Sequence, residues 1–212
     1  EFTANVSHEL KTPLHSIMGC SELMENGLVK AEDMPRFVSR IHSEASRLVT
    51  LVDDIIGLSQ LDENAEFPKE EVDLLALAEE EVGALAATAK DKDIKISVGG
   101  EEITVTGVRR LLHEIVYNLC DNALRYTEAG GKVGVTVGKE ENEAVITVSD
   151  TGIGIPPEDL DRVFERFYRT DKSRSKETGG AGLGLSIVKH AVSYLGGRIS
   201  LDSAQGIGTT FK

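Results

Sequence analysis

A histidine, a glutamate and a threonine near the start of the chain have the spacing of a small reactive site on a helix: His8, Glu9 and Thr12. At about 100° per residue, His8 lies roughly 200° from both Val6 and Leu10, so its side chain points away from the apolar side of that helix. Glu9 is close enough to orient the imidazole, and Thr12 follows one turn later on the outer face. The alternative is an ordinary surface histidine, so the rest of the chain must supply something for His8 to react with.

A second polar stripe lies on a helix predicted over residues 109–126. Glu114, Asn118 and Asn122 recur every four residues and share one face, while leucine and isoleucine fill the other. Asn is a poor residue for a helix interior because its side chain competes for backbone hydrogen bonds. Its oxygen suits Mg²⁺, which binds few protein oxygens and completes its shell with water and phosphate. The stripe indicates a cation site or, as the alternative, a solvated polar face.

Two glycine-rich segments follow this helix. Asp150 ends a predicted strand, and Gly152 and Gly154 come directly after it, so the carboxylate could accept a hydrogen bond from adenine N6. Tight turns use the same residues, which is the alternative. The second segment, residues 179–185, opens a predicted helix whose N–H groups and dipole favour a polyphosphate. It is neither a P-loop nor a dinucleotide fingerprint.

The charged stretch between these two segments has the composition of a lid over a nucleotide. It begins with the aromatic run 164–169 and continues to residue 178. Arg169 or Lys172 could meet phosphate there, and ordinary surface charge is the alternative.

The histidine would be carried by two amphipathic helices joined by a short connection near residues 26–35. Their apolar residues follow the spacing of three and four that is typical of a packed seam. They are Val6, Leu10, Pro13, Ile17, Cys20 and Met24, then Phe37, Ile41, Leu48, Leu51, Ile55 and Leu58. A lone antiparallel hairpin cannot cover both seams, so we predict a homodimer that forms a four-helix bundle. The alternative is a hairpin packed on the downstream domain.

The pattern changes at the acidic, proline-containing segment 62–73. Beyond it we predict helices at 74–89, 109–126 and 183–195, and strands at 94–98, 103–106, 132–139, 143–149, 198–203 and 209–211. This alternation favours an α+β layer sandwich with helices on one face of a mixed sheet. We therefore divide the chain into a helical domain, 1–62, a linker, 63–72, and an α+β domain, 73–212.

The composition of the chain indicates which partners it can bind and in which compartment it resides. The 212 residues carry a net charge of −13, which argues against binding nucleic acid because phosphates would be repelled. The two cysteines, Cys20 and Cys120, are predicted to be buried thiols in a reducing compartment. No apolar run approaches the roughly 20 residues that span a bilayer. We expect a fragment of a longer protein, since the chain begins inside a helical pattern and ends inside a predicted strand.

Six motifs occur in one order along nearly the whole chain: SHELKTPL at 7–14, YNLCDNALRYT at 117–127, DTGIGI at 150–155, FERFYR at 164–169, GGAGLGLSIVK at 179–189 and GIGTT at 206–210. They resemble the H box, N box, first glycine box, F box, second glycine box and a third glycine motif of the sensor histidine kinases of two-component signalling. One difference is that Gly107 and Val108 open the N-box helix, where relatives often carry an Asp cap.

The resemblance implies a dimerisation and phosphotransfer hairpin followed by an ATP-binding domain of the Bergerat fold, truncated at its C-terminus. It implies that Mg·ATP phosphorylates His8 and that the phosphoryl group passes to an aspartate of a response-regulator receiver domain. Glu9 would accept the Nδ1 proton so that Nε2 attacks, and Thr12 would support dephosphorylation of the phospho-regulator. The longer protein would be anchored in a bacterial membrane by segments absent here, with this portion cytoplasmic.

The family's motifs assign the remaining site residues by position. The catalytic set is His8, Glu9, Thr12 and Glu114, and the metal ligands are Asn122, Asn118 and Glu114. The nucleotide-binding set is Asn118, Asn122, Arg125, Tyr126, Asp150, Gly152, Gly154, Phe167, Arg169, Lys172, Gly180, Gly182, Leu183, Gly184, Leu185 and Thr209.

Two other classes of protein compete with this interpretation. A chaperone or topoisomerase ATPase of the same fold would use Glu114 to activate water, and it would not need His8 on an amphipathic hairpin. A non-catalytic dimerisation module would not need Asn122 or the glycines.

Overall fold

The computed structural model describes residues 2–63, 66–170 and 181–212. The chain forms two compact units, Glu1–Ser59 and Gln60–Lys212. Lys172 and Gly180 of the predicted nucleotide site lie outside the described residues. Among the residues that are described, none of the helices combines the length and the apolar character needed to cross a membrane.

Two long helices form the first unit, as the sequence predicts, and the last turn of the second helix, from Gln60 onward, belongs to the second unit. Helix α1 spans Phe2–Glu25 and continues through Pro13, and helix α2 spans Met34–Asp62. All twelve predicted seam residues are buried or half-buried. A hydrogen bond of 3.2 Å from Arg40 Nε to Ser16 Oγ also joins the helices. A second row of apolar side chains stays exposed outside this seam: Leu14, Met18, Val49, Val52 and Ile56.

The second unit contains seven strands and three long helices in its described part. The strands are β1 (Glu70–Asp73), β2 (Lys95–Gly100), β3 (Thr104–Gly107), β4 (Lys132–Glu140), β5 (Glu143–Asp150), β6 (Leu201–Ala204) and β7 (Gly208–Phe211). The helices are α3 (Leu74–Asp91), α4 (Arg109–Tyr126) and α5 (Gly184–Tyr194), with a short 3₁₀ turn at Pro157–Asp159. Asp73 caps α3 by accepting from the N–H groups of Leu75 and Ala76. Helix α4 has no side-chain cap, because its N-cap residue is Val108. This agrees with the sequence, in which Val108 stands where relatives often carry a capping Asp.

Five strands form a mixed sheet in the order β2-β4-β5-β7-β6, in which only the β2–β4 pair is parallel. Val133, Val135 and Val137 of β4 are each 1% exposed, whereas Thr136 between them is exposed. This period of two shows that one face of the sheet is covered. The buried face shares its core with apolar residues of α3, α4 and α5, so the predicted α+β layer architecture is confirmed.

Strand β1 occupies the end of the segment that we assigned to the linker. It pairs antiparallel with β3, with Glu71 opposite Thr106, and Val72 is fully buried. Because acidic residues flank Val72, the segment lacks the alternating hydrophobic pattern that predicts a strand. Its pairing partner lies more than thirty residues away along the chain.

Candidate functional site

The predicted reactive histidine lies on the surface of the first unit. The His8 side chain is 81% exposed, and its Nδ1 atom is 3.8 Å from Oε1 of Glu9. The other oxygen of Glu9 is 3.5 Å from Nη2 of Arg47 on α2. Arg47 therefore helps to hold the carboxylate that faces the imidazole. Sequence analysis missed Arg47 because nothing in the local pattern of α2 indicates which residue of α1 it meets.

Thr12 uses its hydroxyl within the helix. Its Oγ1 donates a hydrogen bond of 3.2 Å to the carbonyl oxygen of His8, and the side chain is exposed. Such bonds to the preceding turn are common for threonine in helices. The hydroxyl is thus fixed one turn after the histidine, with its oxygen still able to accept a hydrogen bond.

In the second unit, the polar stripe of α4 meets the first residue of α5. A Cβ atom added to Gly184 would lie 2.7 Å from Oδ1 of Asn118 and 3.6 Å from Nδ2 of Asn122. Asn118 also donates through Nδ2 to the carbonyl oxygen of Glu114 at 2.8 Å, which leaves Oδ1 as its acceptor. The structure therefore joins the N box to the second glycine box, and a side chain at position 184 would displace the Asn118 amide.

The Glu114 carboxylate lies at the start of the same stripe. Burial raises the pKa of Glu114, and Arg110, whose Nε is 3.5 Å from Oε1, opposes that rise. Within the described residues, no side chain caps α5, whose N-cap is Leu183. A helix N-terminus without a side-chain cap can bind an anionic ligand through its first N–H groups.

These side chains fit a hydrated Mg²⁺ better than an all-protein metal cage. Among the described ranges, no three His, Cys, Asp or Glu side chains cluster closely enough to hold a metal. The oxygens of Glu114, Asn118 and Asn122 could instead serve as a few hard ligands, and the two asparagines lie beside the first residue of α5. Mg²⁺ is commonly bound in this way, with phosphate and water completing the octahedron.

The adenine-binding candidate, Asp150, ends β5 opposite Thr209 of β7. Its Oδ1 accepts a hydrogen bond of 2.8 Å from the N–H of Gly152. Burial raises the pKa of Asp150, while the N–H groups of Gly152 and Thr209 counteract the shift by stabilising the charged form. The N–H of Ile153 donates to the carbonyl of Tyr126, which fixes this turn to the end of α4.

Three glycines of this region are required by backbone contacts, the first being Gly152, where an added Cβ would lie 2.4 Å from the carbonyl oxygen of Tyr126. Gly154 has φ +66°, and an added Cβ would lie 2.1 Å from the carbonyl oxygen of Ala204. Gly208 has φ +142°, and its Cβ would lie 2.0 Å from the carbonyl oxygen of Asp150. Ser203, which sequence analysis missed, lies close by and donates to the carbonyl of Gly208. The first and third glycine motifs are therefore packed backbone to backbone.

The F box is anchored to the second glycine box. Phe167 has a left-handed backbone, φ +64°, and its N–H donates to the carbonyl of Gly182 at 2.9 Å. Gly182 is itself left-handed, with φ +75°. The next residue, Tyr168, is hydrogen-bonded to Asp159 and carries the guanidinium of Arg162 above its ring at 4.2 Å. The aromatic run is thus fixed against Gly182 of the second glycine box.

Other predicted nucleotide residues occupy less direct positions. Arg125 forms an ion pair of 2.7 Å with Asp121 on its own helix, and Tyr126 is 39% exposed. Leu183 is buried and Leu185 packs against the core, so their side chains serve packing. Arg169 is half-buried.

Two family models match the chain. Residues 1–64 match the His Kinase A (phospho-acceptor) domain, and residues 107–212 match the histidine kinase-, DNA gyrase B- and HSP90-like ATPase domain. The second model covers half of the chain and includes every described residue of the candidate nucleotide site. The first model separates the chain from the gyrase and HSP90-like ATPases, since it matches the segment that carries His8.

Individual proteins that resemble this chain in sequence or structure are also histidine kinases. The sensor-like histidine kinase SenX3 of Mycobacterium tuberculosis is 38% identical over 213 residues, which cover 100% of this chain and 52% of SenX3. The structure of full-length ShkA in complex with AMPPNP has a TM-score of 0.75 and 30% identity, covering 98% of this chain and 44% of ShkA. The structure of the histidine kinase ThkA in complex with the response regulator TrrA has a TM-score of 0.79 and 25% identity, covering 100% of this chain and 59% of that chain.

The chain thus spans about half the length of these three proteins. The matched half contains both the phospho-acceptor domain and the ATPase domain. The chain therefore belongs to the sensor histidine kinases, which are protein kinases of the transferase class, and it represents their catalytic core.

Proposed function

We propose that this chain uses Mg·ATP to phosphorylate His8 and transfers the phosphoryl group to an aspartate of a response regulator. The observation that carries the proposal is the His8 imidazole, which is 81% exposed and has Nδ1 directed at Glu9. An imidazole with its proton held on Nδ1 keeps the lone pair on Nε2. That tautomer is the nucleophile that attack on phosphorus requires.

In the proposed reaction, Nε2 of His8 forms a bond to the γ-phosphorus of ATP while the bond from that phosphorus to the bridging oxygen breaks. The electron pair of the broken bond leaves with ADP, and the Nδ1 proton passes to Glu9 or to water. General-base assistance of this kind contributes about 10²- to 10⁴-fold. Arg47 keeps Glu9 in place, so the carboxylate need not be ordered during the reaction.

The second unit would bind the nucleotide. Asp150 would accept from the adenine amino group, and the first N–H groups of α5 would bind phosphate. Glu114, Asn118 and Asn122 would hold Mg²⁺, which when bound neutralises phosphate charge. The complex of ShkA with AMPPNP supports an ATP-type ligand for this fold.

Two partners belong to the proposal. The exposed apolar row of α1 and α2, which includes Met18 and Val49, supports a homodimer, because such a row needs a second surface to cover it. The phospho-acceptor family match and the complex of ThkA with TrrA support the regulator. We also propose that the domains divide within the segment 63–72, ahead of strand β1. The protein is further proposed to act on the cytoplasmic side of a bacterial membrane, where ATP is supplied.

The proposed function is tested by incubating the chain with γ-labelled ATP and Mg²⁺. Phosphohistidine is acid-labile and base-stable, so the label on the protein should be lost in acid and retained in base. Release of labelled phosphate without labelling of the protein would instead indicate that the chain is a simple ATPase.

Replacing Asn122 with alanine should weaken the use of Mg·ATP about tenfold or more, because one ligand oxygen beside the phosphates is lost. The variant should therefore need more Mg²⁺ to reach half-maximal labelling, which a Mg²⁺ titration measures. Asn142→Ala, in the exposed turn between β4 and β5, is the matched control and should behave as wild type. Full labelling of Asn122→Ala at low Mg²⁺ would contradict the metal assignment.

Replacing Thr12 with alanine should separate two activities. We expect dephosphorylation of the phospho-regulator to fall at least tenfold, about 1.4 kcal/mol, because the hydroxyl no longer orients the attacking water. Labelling of His8 should stay within a few-fold of wild type. The decay of purified phospho-regulator with kinase and ADP measures the first activity.

Ser7→Ala is the control for Thr12→Ala, because Ser7 makes the same kind of bond, from Oγ to the carbonyl of Thr3 at 2.9 Å. It should leave both activities intact. Equal loss of labelling, dephosphorylation and melting temperature in Thr12→Ala would mean that Thr12 only supports the helix.

A further inference from the structure

Three charged or titratable side chains from three elements of the second unit meet outside the nucleotide site. Asp62, in the last turn of α2, accepts from Nη2 of Arg166 at 2.7 and 2.8 Å. His190 of α5 places Nδ1 at 3.4 Å from Oδ1 of Asp62 and Nε2 at 3.3 Å from Nη2 of Arg166. We call this group of Asp62, Arg166 and His190 the Asp62 clasp.

The hydrogen-bond partners in the clasp determine the tautomer of His190. A guanidinium can only donate, so Nε2 of His190 accepts from Arg166 and the ring proton lies on Nδ1, facing Asp62. Burial lowers the pKa of His190, Arg166 and Lys189 lower it further, and Asp62 opposes them. A neutral His190 therefore lets Asp62 and Arg166 form a balanced ion pair.

Two members of the clasp belong to elements that frame the candidate nucleotide site. Arg166 precedes Phe167, whose left-handed backbone is sterically costly and is bonded to Gly182. His190 lies on α5, whose first residue, Gly184, meets the asparagines of α4. One carboxylate thus contacts both the F box and the helix that would bind phosphate.

A neighbouring contact holds the same turn of α2 to α4. Arg110 donates from Nη2 to Oε1 of Gln60 at 3.1 Å. Its guanidinium also lies 4.9 Å from the centre of the Phe67 ring, which packs edge-on against Tyr194 of α5. The last turn of α2, from Gln60 onward, therefore makes two sets of contacts within the second unit, to which it belongs.

We propose that Asp62 is a positioning residue for the nucleotide site, which makes the affinity for ATP depend on the placement of the last turn of α2. The inference rests on the proposed function, since it takes ATP as the ligand. Because coupling between two sites is reciprocal, bound ATP should also stabilise this turn of α2. Through the clasp, a displacement of the last turn of α2 would change the affinity for ATP.

The test compares the full chain with Asp62→Asn, which keeps the shape of the side chain and removes its charge. The affinity for a fluorescent ATP analogue should fall about two- to fivefold, as expected for a partly exposed ion pair that acts through other groups. Asp161→Asn, which changes an exposed carboxylate near the F box, should bind as wild type. The exchanged pair Asp62→Arg with Arg166→Asp should recover most of the loss seen in either single variant.

Hydrogen exchange provides a readout that general destabilisation would not reproduce. Adding the ATP analogue should slow exchange of the amides at residues 60–63 in the wild type and should have no such effect in Asp62→Asn. Unchanged affinity together with retained nucleotide-dependent protection in Asp62→Asn would overturn the inference. Faster labelling of His8 at unchanged affinity would also overturn it, because the clasp would then slow phosphotransfer instead of supporting ATP binding. A wild-type chain that bound no ATP would instead overturn the proposed function.

Discussion

Replacing His8 with glutamine is expected to abolish phosphorylation of the chain while leaving its affinity for ATP unchanged. Glutamine can form hydrogen bonds, but its amide has no nucleophilic nitrogen lone pair, so no bond to phosphorus can form. The candidate nucleotide contacts all lie in the second unit, whereas His8 lies in the first. His8 is also 81% exposed, so its replacement removes little packing.

The measurement combines labelling by γ-labelled ATP with titration of a fluorescent ATP analogue. His15→Gln is the matched control, because His15 lies two turns later on the same helix and is also exposed. It should label as wild type. A large loss of ATP affinity in His8→Gln would contradict the assignment of phosphotransfer and nucleotide binding to separate units. Residual label in His8→Gln would place the phosphoryl group on another residue.

Sequence periodicity was sufficient to predict the helices that carry the site. The seam spacing predicts both α1 and α2, and the apolar face of α4 predicts that helix from Arg109 to Tyr126. It also predicts that Asn118 and Asn122 share a face. These features depend only on residues three or four apart, which the chain connects directly.

Contacts between distant segments could not be predicted in the same way. The approach of Gly184 to Asn118 and the pairing of β1 with β3 join segments more than thirty residues apart. The contact between Arg47 and Glu9 requires the relative placement of α1 and α2. The glycine motifs indicate that a backbone will approach closely, but they do not name the partner. Gly208 illustrates this limit, because its neighbour is the carbonyl of Asp150 rather than a ligand.

Asp150 is proposed to bind adenine, and its burial also affects stability, so a variant at this position can separate the two effects. Burial raises the pKa of Asp150. The folded chain therefore binds this proton more tightly than the unfolded chain. The stability from this group is present below the unfolded pKa, about 3.9, and is lost as the pH rises through the folded value. At pH 7 the ionised carboxylate thus lowers the free energy of unfolding.

Replacing Asp150 with asparagine should consequently reduce ATP affinity about a hundredfold without lowering the melting temperature. The Asn oxygen can still accept from the N–H of Gly152, as Oδ1 of Asp150 does at 2.8 Å. The amide –NH₂, however, would face the adenine amino group, so two donors would oppose each other where a charged acceptor had stood. Loss of a charge-assisted bond and an unpaired donor cost about 3 kcal/mol, which corresponds to the stated factor.

The pH dependence distinguishes this account of Asp150 from a general disturbance of the site. Wild-type affinity for the ATP analogue should weaken as the pH falls through the raised pKa of Asp150, because protonation places an O–H where the adenine amino group needs an acceptor. That part of the pH profile should be absent in Asp150→Asn. Asp202→Asn, on the exposed side of β6, should retain both the affinity and the profile of the wild type. A fall in melting temperature that parallels the loss of affinity in Asp150→Asn would show that the carboxylate supports the fold and would contradict its assignment to adenine.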